Sequence, residues 1–128
     1  MRALLDTHTF LWWVHNDPRL SDRVRAIIGD GSNTLYLSAA SGWEIAIKAQ
    51  LGKLQFSSSL DQFIAEQLTL NGIDTLSITL RHGLHVATLP AHHRDPFDRI
   101  LVSQCQLEQL PLLTADTQII KYAVETIW

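Results

Sequence analysis

Residues 1–14 read MRALLDTHTFLWWV, and the order of events in that stretch decides the fold. A short apolar run, Arg2 to Leu5, stops on an acid, Asp6. A helical pattern follows from Thr7 to Val14, with Phe10, Leu11 and Val14 on one side. Strand, acid, helix is the opening of a crossover unit. The rest of the chain repeats it. Ser21 caps a helix to Ile28, with Gly29 as its stop, and Thr34 to Leu37 is the second strand. A helix from about Ala39 to Gln50 stops at Gly52. Ser59 to Gln62 is a capping box opening a helix that Asn71-Gly72 closes, with Leu60, Phe63, Ile64 and Leu68 inward. Thr75 to Ile78 is the third strand, and Thr79 starts a helix that Pro90 bars from continuing. Asp95-Pro96 is an N-cap with proline at the first helical position, opening a helix to about Gln109. Pro111 to Thr114 is strand four, a short helix spans Asp116 to Lys121, and Val124 to Ile127 is a last strand.

Strands separated by helices imply crossovers and a parallel sheet. The strands are apolar throughout rather than alternating, as strands covered on both faces should be. The expected architecture is therefore three-layer α/β/α around a central parallel sheet. With 128 residues and no repeat, low-complexity tract or linker-like stretch, residues 1–128 are expected to form one domain.

Composition narrows the class. The chain is 46% apolar and 18% charged, which excludes a disordered chain and a collagen-like one. No apolar run approaches the ~20 residues of a membrane span. Asp6 comes too early for a signal peptide, and the single cysteine, Cys105, excludes an internal disulfide framework and a cysteine-based zinc site. A cytoplasmic setting is the expectation. Cys105 falls with Phe97 and Leu101 on the apolar side of its helix and reads as a buried, inert thiol.

In open parallel sheets, ligands bind beyond the carboxyl ends of the strands. Asp6 directly follows strand one, Asp116 follows strand four, and Glu44 lies in the first turns after strand two. Asp95 and Asp98 share one face of the first turn of the helix that leads into strand four. Each has a helix-capping reading of its own: Ser41-x-x-Glu44 as a capping box, Asp95 and Asp116 as caps, Asp98 as an acid at the positive helix end. Asp6 resists that reading most, because a carboxylate after a central apolar strand is costly to desolvate.

As a set they would repel one another and recruit cations. Oxygen donors without cysteine suit Mg²⁺ or Mn²⁺, which hold phosphate oxygens. Two such ions can activate a water and stabilise the leaving oxygen of a phosphodiester. The net charge is −3, but setting those five acids aside leaves eight acids against ten bases, which permits a nucleic-acid partner. Arg94, Arg99, Lys48 and Lys53 are candidate phosphate contacts. The histidines His82, His85, His92 and His93 are expected to be structural or to touch substrate rather than to hold zinc.

Four blocks together carry a family resemblance: LLDTH at 4–8, SGWEIAIKAQLGKL at 41–54, HHRDPFDRILVSQC at 92–105 and LLTADTQI at 112–119. In this order, from Ala3 to about Tyr122, they resemble the PIN-domain family, specifically the VapC-like toxins of bacterial toxin–antitoxin pairs. The resemblance implies a metal-dependent endoribonuclease with a PIN-like α/β/α fold. By position it implies Asp6, Glu44, Asp98 and Asp116 as catalytic residues, and Asp6, Asp95, Asp98 and Asp116 around Mg²⁺ or Mn²⁺. Thr7 and Thr114 match hydroxyl positions near the site. RNA as substrate, a cognate antitoxin and a homodimer are the implied partners. The adjacent Trp12 and Trp13 point about 100° apart on one helix, so a second surface beyond the core of one chain is expected to bury one of them.

Three other readings remain open. A receiver-like phospho-acceptor would need a lysine over the acids, for which Lys121 is the nearest candidate. A haloacid-dehalogenase-type phosphatase wants an acid two residues after Asp6, where His8 stands. A non-catalytic partner-binding module would make acids and metal dispensable.

Overall fold

The computed structural model describes residues 1–56 and 58–128. The chain runs β1 (Arg2–Leu5), α1 (Thr7–Val14), α2 (Asp22–Gly29), β2 (Thr34–Ser38), α3 (Ala39–Gln50), α4 (Leu60–Asn71) and β3 (Ile73–Leu76). It continues through α5 (Leu80–His85), a 3₁₀ turn at Val86–Thr88, α6 (Pro96–Glu108), β4 (Leu112–Leu113), a second 3₁₀ turn at Ile119–Lys121 and β5 (Thr126–Ile127). The sheet order is β3-β2-β1-β4-β5 and every pairing is parallel. This is the expected α/β fold, with β1 at the centre.

Alternation along the strands builds the layers. Ala3, Leu5, Leu35, Leu37 and Leu113 point to one face, where Phe10, Leu11, Val24 and Ile28 of α1 and α2 and Ile64 and Leu68 of α4 cover them. Leu4, Tyr36 and Leu112 point to the other, against Leu101, Val102 and Cys105 of α6. Ala3, Leu4 and Leu5 are wholly buried, each leucine contributing about 1.5–3 kcal/mol by burial. A strand buried on both faces has no polar alternation to display, which is why β1 reads as a bare apolar run.

Several local expectations shift. The third strand lies two residues earlier than its apolar residues suggest, because Leu35 pairs with Ile73 and Ser38 with Leu76. Strands four and five are only two residues long, at Leu112–Leu113 and Thr126–Ile127, since pairing ends where each leaves the neighbouring strand. Ser59 makes no side-chain cap, and Asp61 accepts from the Gln62 N–H instead. Gly29 is the last residue of α2 rather than a left-handed stop, whereas Gly72, at φ 61°, is one. Gln109, at φ 56°, ends α6 in the same conformation.

Candidate metal and active site

Asp6 is the N-cap of α1. Its Oδ1 accepts the Thr9 N–H at 2.7 Å and its Oδ2 accepts the Thr114 hydroxyl. The same Thr114 oxygen accepts the Asp116 N–H at 3.0 Å, so one threonine ties the carboxyl ends of β1 and β4 together. Burial pushes the Asp6 carboxyl above its ordinary range, against the pull of those hydrogen bonds. Thr7 donates to Ser41 at 2.9 Å, linking the starts of α1 and α3.

Ser41 is not a cap. The N-cap of α3 is Ser38, which accepts the Ala40 N–H, so the capping-box reading of Glu44 fails. Glu44 is instead buried on α3. Its Oε2 lies 3.0 Å from Lys48 Nζ, and its Oε1 is buried with no hydrogen-bond partner among the described residues. A buried orphan oxygen is costly unless something outside the chain fills it.

Asp95 caps α6, accepting the Phe97 N–H at 2.8 Å and the Asp98 N–H at 3.3 Å on Oδ1. Its cap reading is therefore realised, while its charge stands beside Asp98. Asp98 carries the largest consequence of convergence. Burial first, then the charges of Asp95, Asp116, Asp6 and Glu44, raise its carboxyl to about 7. Asp116 accepts the Gln118 N–H at 2.7 Å on Oδ1 and turns Oδ2 inward. All the acids of the sequence reading thus act on one spot at the carboxyl edge of the sheet.

At the centre of that spot stands a residue the sequence reading left without a specific role. His93 Nε2 lies 3.0 Å from Asp98 Oδ2 and 3.2 Å from Asp116 Oδ2. Donor atoms of His93, Asp98 and Asp116 lie within 4.8 Å of one another, a spacing that could hold a metal ion. The signal in the sequence is its place two residues before the Asp95 cap. Its carboxylate partners lie 5 and 23 residues away, and only folding brings them to it.

The other candidates separate clearly. Arg99 spends its guanidinium on the carbonyls of Pro90 and Val86 and on the Tyr122 hydroxyl, so it is a strut and not a phosphate contact. Lys48 is paired with Glu44, while Arg94 and Lys53 are exposed. His82 is buried, accepts the Thr79 N–H on Nδ1 and donates from Nε2 to Glu108 at 2.8 Å. His85 donates to Gln106 at 2.7 Å. Both fasten α5 to α6, the structural one of the two roles expected. Burial pushes the Cys105 thiol up to about 12, as an inert core thiol requires. Lys121 is exposed and donates to Gln118, away from the position a receiver-like site would need.

Beside the acids opens a cavity of about 260 Å³, lined by Asp6, His8, Trp12, Arg19, Ala115 and Asp116. Trp12 meets Trp128 edge-on at 5.7 Å with Arg19 over its ring, and Trp13 donates to Asn71 at 2.9 Å. Both tryptophans are therefore satisfied within one chain, and the argument for a second surface from their adjacency does not stand. The exposed tryptophan is Trp43, at 63%.

A doubly covered parallel sheet with buried carboxylates at its carboxyl edge defines a class, α/β domains with an acidic site, and comparison with known proteins narrows it. Residues 3–125 match the PIN domain family, and the chain belongs to that family. It is 37% identical over 75 residues to Ribonuclease VapC16 of Mycobacterium tuberculosis, covering 56% of this chain. The chain spans about half the length of that relative, 53%. Among solved structures, VapBC2 from Rickettsia felis, bound to a DNA fragment from their promoter, is similar with a TM-score of 0.72 at 11% identity, covering 99% of this chain and 98% of that one. FitAcB from Neisseria gonorrhoeae is similar with a TM-score of 0.66 at 19% identity, covering 100% and 97%. At such identities the structural likeness establishes the PIN-like fold. No helix among the described residues is long and apolar enough to cross a membrane.

Proposed function

We propose that this chain is a metal-dependent endoribonuclease, a single PIN unit over residues 1–128, and the toxin of a toxin–antitoxin pair in the cytoplasm. The observation that carries the reading is Glu44: a buried carboxylate oxygen with no hydrogen-bond partner among the described residues, on an acid whose charge helps, after burial, to raise Asp98 to about 7, suits a cation. The likeness to Ribonuclease VapC16 supports RNA as the substrate class.

Asp6, Glu44, Asp98 and Asp116 would hold Mg²⁺ or Mn²⁺, with Asp95 contributing charge from beside Asp98. The bound ion would supply a polarised phosphodiester and an activated water. The protein's own part is to fix the carboxylates in place. Asp6 is held by the Thr9 N–H and Thr114, Asp116 by the Gln118 N–H, and Asp98 by the first turn of α6. The cavity beside Asp6 and Asp116 gives an RNA strand room to approach. A structural neighbour is a toxin–antitoxin complex from Klebsiella pneumoniae, which supports a cognate antitoxin as partner. An arginine from such a partner could pair with the acidic pocket and block it.

A homodimer fits an apolar face. Trp43 and Ile78 are exposed there, around a recess of about 340 Å³ lined by Ala40, Trp43, Ile78, Phe97 and Ile100.

The test is cleavage of labelled RNA by purified protein with Mg²⁺, with Mn²⁺ and with chelator. Cleavage is expected only with metal, and Asp98→Asn is expected to abolish it. Equal cleavage in chelator would overturn the mechanism.

A further inference from the structure

We propose that His93 is a positioning residue that fixes Asp116 against Asp98 from outside the metal, by donating its imidazole N–H to Asp116 while the same nitrogen rests in close contact with Asp98. The inference rests on the reading of this cluster as a divalent-metal site.

The tautomer decides between a pin and a ligand. His93 Nδ1 accepts the backbone N–H of Asp95 at 3.3 Å. A nitrogen that accepts carries a lone pair and no hydrogen, so in neutral imidazole the hydrogen is on Nε2. Nε2 then has no lone pair for a metal. What it has is a hydrogen bond to Asp116 Oδ2 at 3.2 Å, with Asp98 Oδ2 in close contact with the same nitrogen at 3.0 Å. Two carboxylates from separate elements, the first turn of α6 and the loop after β4, repel each other and would splay without it.

The ring is itself held. The His93 N–H donates to the Tyr122 hydroxyl at 2.9 Å. Arg99 donates to the same hydroxyl at 3.0 Å and to the carbonyls of Pro90, at 2.8 Å, and Val86, at 3.2 Å. Five residues of the HHRDPFDR stretch then have tasks. His93 pins, Asp95 caps α6 and sets the tautomer, Pro96 starts the helix, Asp98 faces the metal and Arg99 braces the loop. Hydrogen-bond donors behind ligating carboxylates typically control metal affinity by about 10–100-fold.

The experiment is Mn²⁺ titration, by calorimetry and by electron paramagnetic resonance, of wild type, His93→Ala and His93→Gln, with folding checked by circular dichroism. His93→Ala is expected to weaken Mn²⁺ binding by about 10–100-fold. His93→Gln, whose amide can donate from a similar position, should restore most of it. The Mn²⁺ spectrum should show no directly bonded nitrogen. Nitrogen-15 spectra of the wild-type histidines should show His93 protonated on Nε2 without metal. Unchanged affinity in a folded His93→Ala, a directly bonded nitrogen, or an Nδ1–H tautomer would each overturn the proposal. Absence of any Mn²⁺ binding by wild type would overturn the metal-site reading and this role with it. If His93→Ala does not fold, the glutamine variant and the tautomer measurement still decide.

Discussion

Lys48 Nζ lies 3.0 Å from Glu44 Oε2, one turn along α3, while Oε1 of the same carboxylate is buried with no partner among the described residues. The lysine neutralises one oxygen of an acid whose charge also acts on Asp98. Lys48→Met should therefore expose the repulsion within the cluster. Its melting temperature in chelator is expected to fall, by an amount worth about 1–3 kcal/mol. Added Mn²⁺ should recover more stability in the variant than in wild type. Equal metal responses in thermal melts would show that Glu44 does not face the ion.

Asp6 has two duties that substitution can separate. Asparagine keeps the cap on the Thr9 N–H but removes the charge, whereas alanine removes both. Asp6→Asn should lose RNA cleavage and keep or gain stability in chelator, since it removes a buried charge that burial disfavours. Asp6→Ala should lose cleavage and also about 0.5–2 kcal/mol of stability through the lost cap. Parallel urea melts of the two variants check this. An Asp6→Asn protein that still cleaves RNA would remove Asp6 from the site.

The Asp98 carboxyl, raised to about 7 by burial and its acidic neighbours, ties stability to pH. Between its ordinary value of 3.8 and about 7, the folded state holds a proton that the unfolded state has released. Stability of the metal-free protein should thus decline as pH rises through that window and level off above it. Asp98→Asn should flatten the slope. Metal competes with the same proton, so Mn²⁺ affinity of wild type should rise as pH passes through about 7. Melts in chelator from pH 5 to 8.5, with matching titrations, test both signs.

Trp43 is 63% exposed beside the recess it shares with Ile78 and Phe97, where it meets Phe97 edge-on at 5.1 Å. If a second copy covers that face, Trp43→Glu should convert a dimer to a monomer by light scattering at micromolar concentration. The same change on a free surface would leave the mass unaltered. Trp12→Glu, beside the acids and far from that purpose, should not change the mass in either case.

The order of strands and helices, the parallel sheet, and the acids at its carboxyl edge could all be read in the chain, because each depends on short-range patterning. An apolar run ending on Asp6, a proline after Asp95, or a helix closing on Gly72 declares itself within a few residues. Strand ends could not be read so well: β3 starts at Ile73 because β2 sets its register, not because of its own residues. The hydroxyl of Thr114 on Asp6, 108 residues apart, and the orphan oxygen of Glu44 depend on the packing of separate elements. The same holds for Arg99, which in the chain is one cation among several and in the fold is fully engaged by carbonyls and Tyr122. His93 is the clearest case. As a residue type at its position it could be surface, structure or ligand. Its role is decided by a backbone N–H on one nitrogen and two distant carboxylates on the other, a three-way contact that exists only once α6 and the loop after β4 have packed against the sheet.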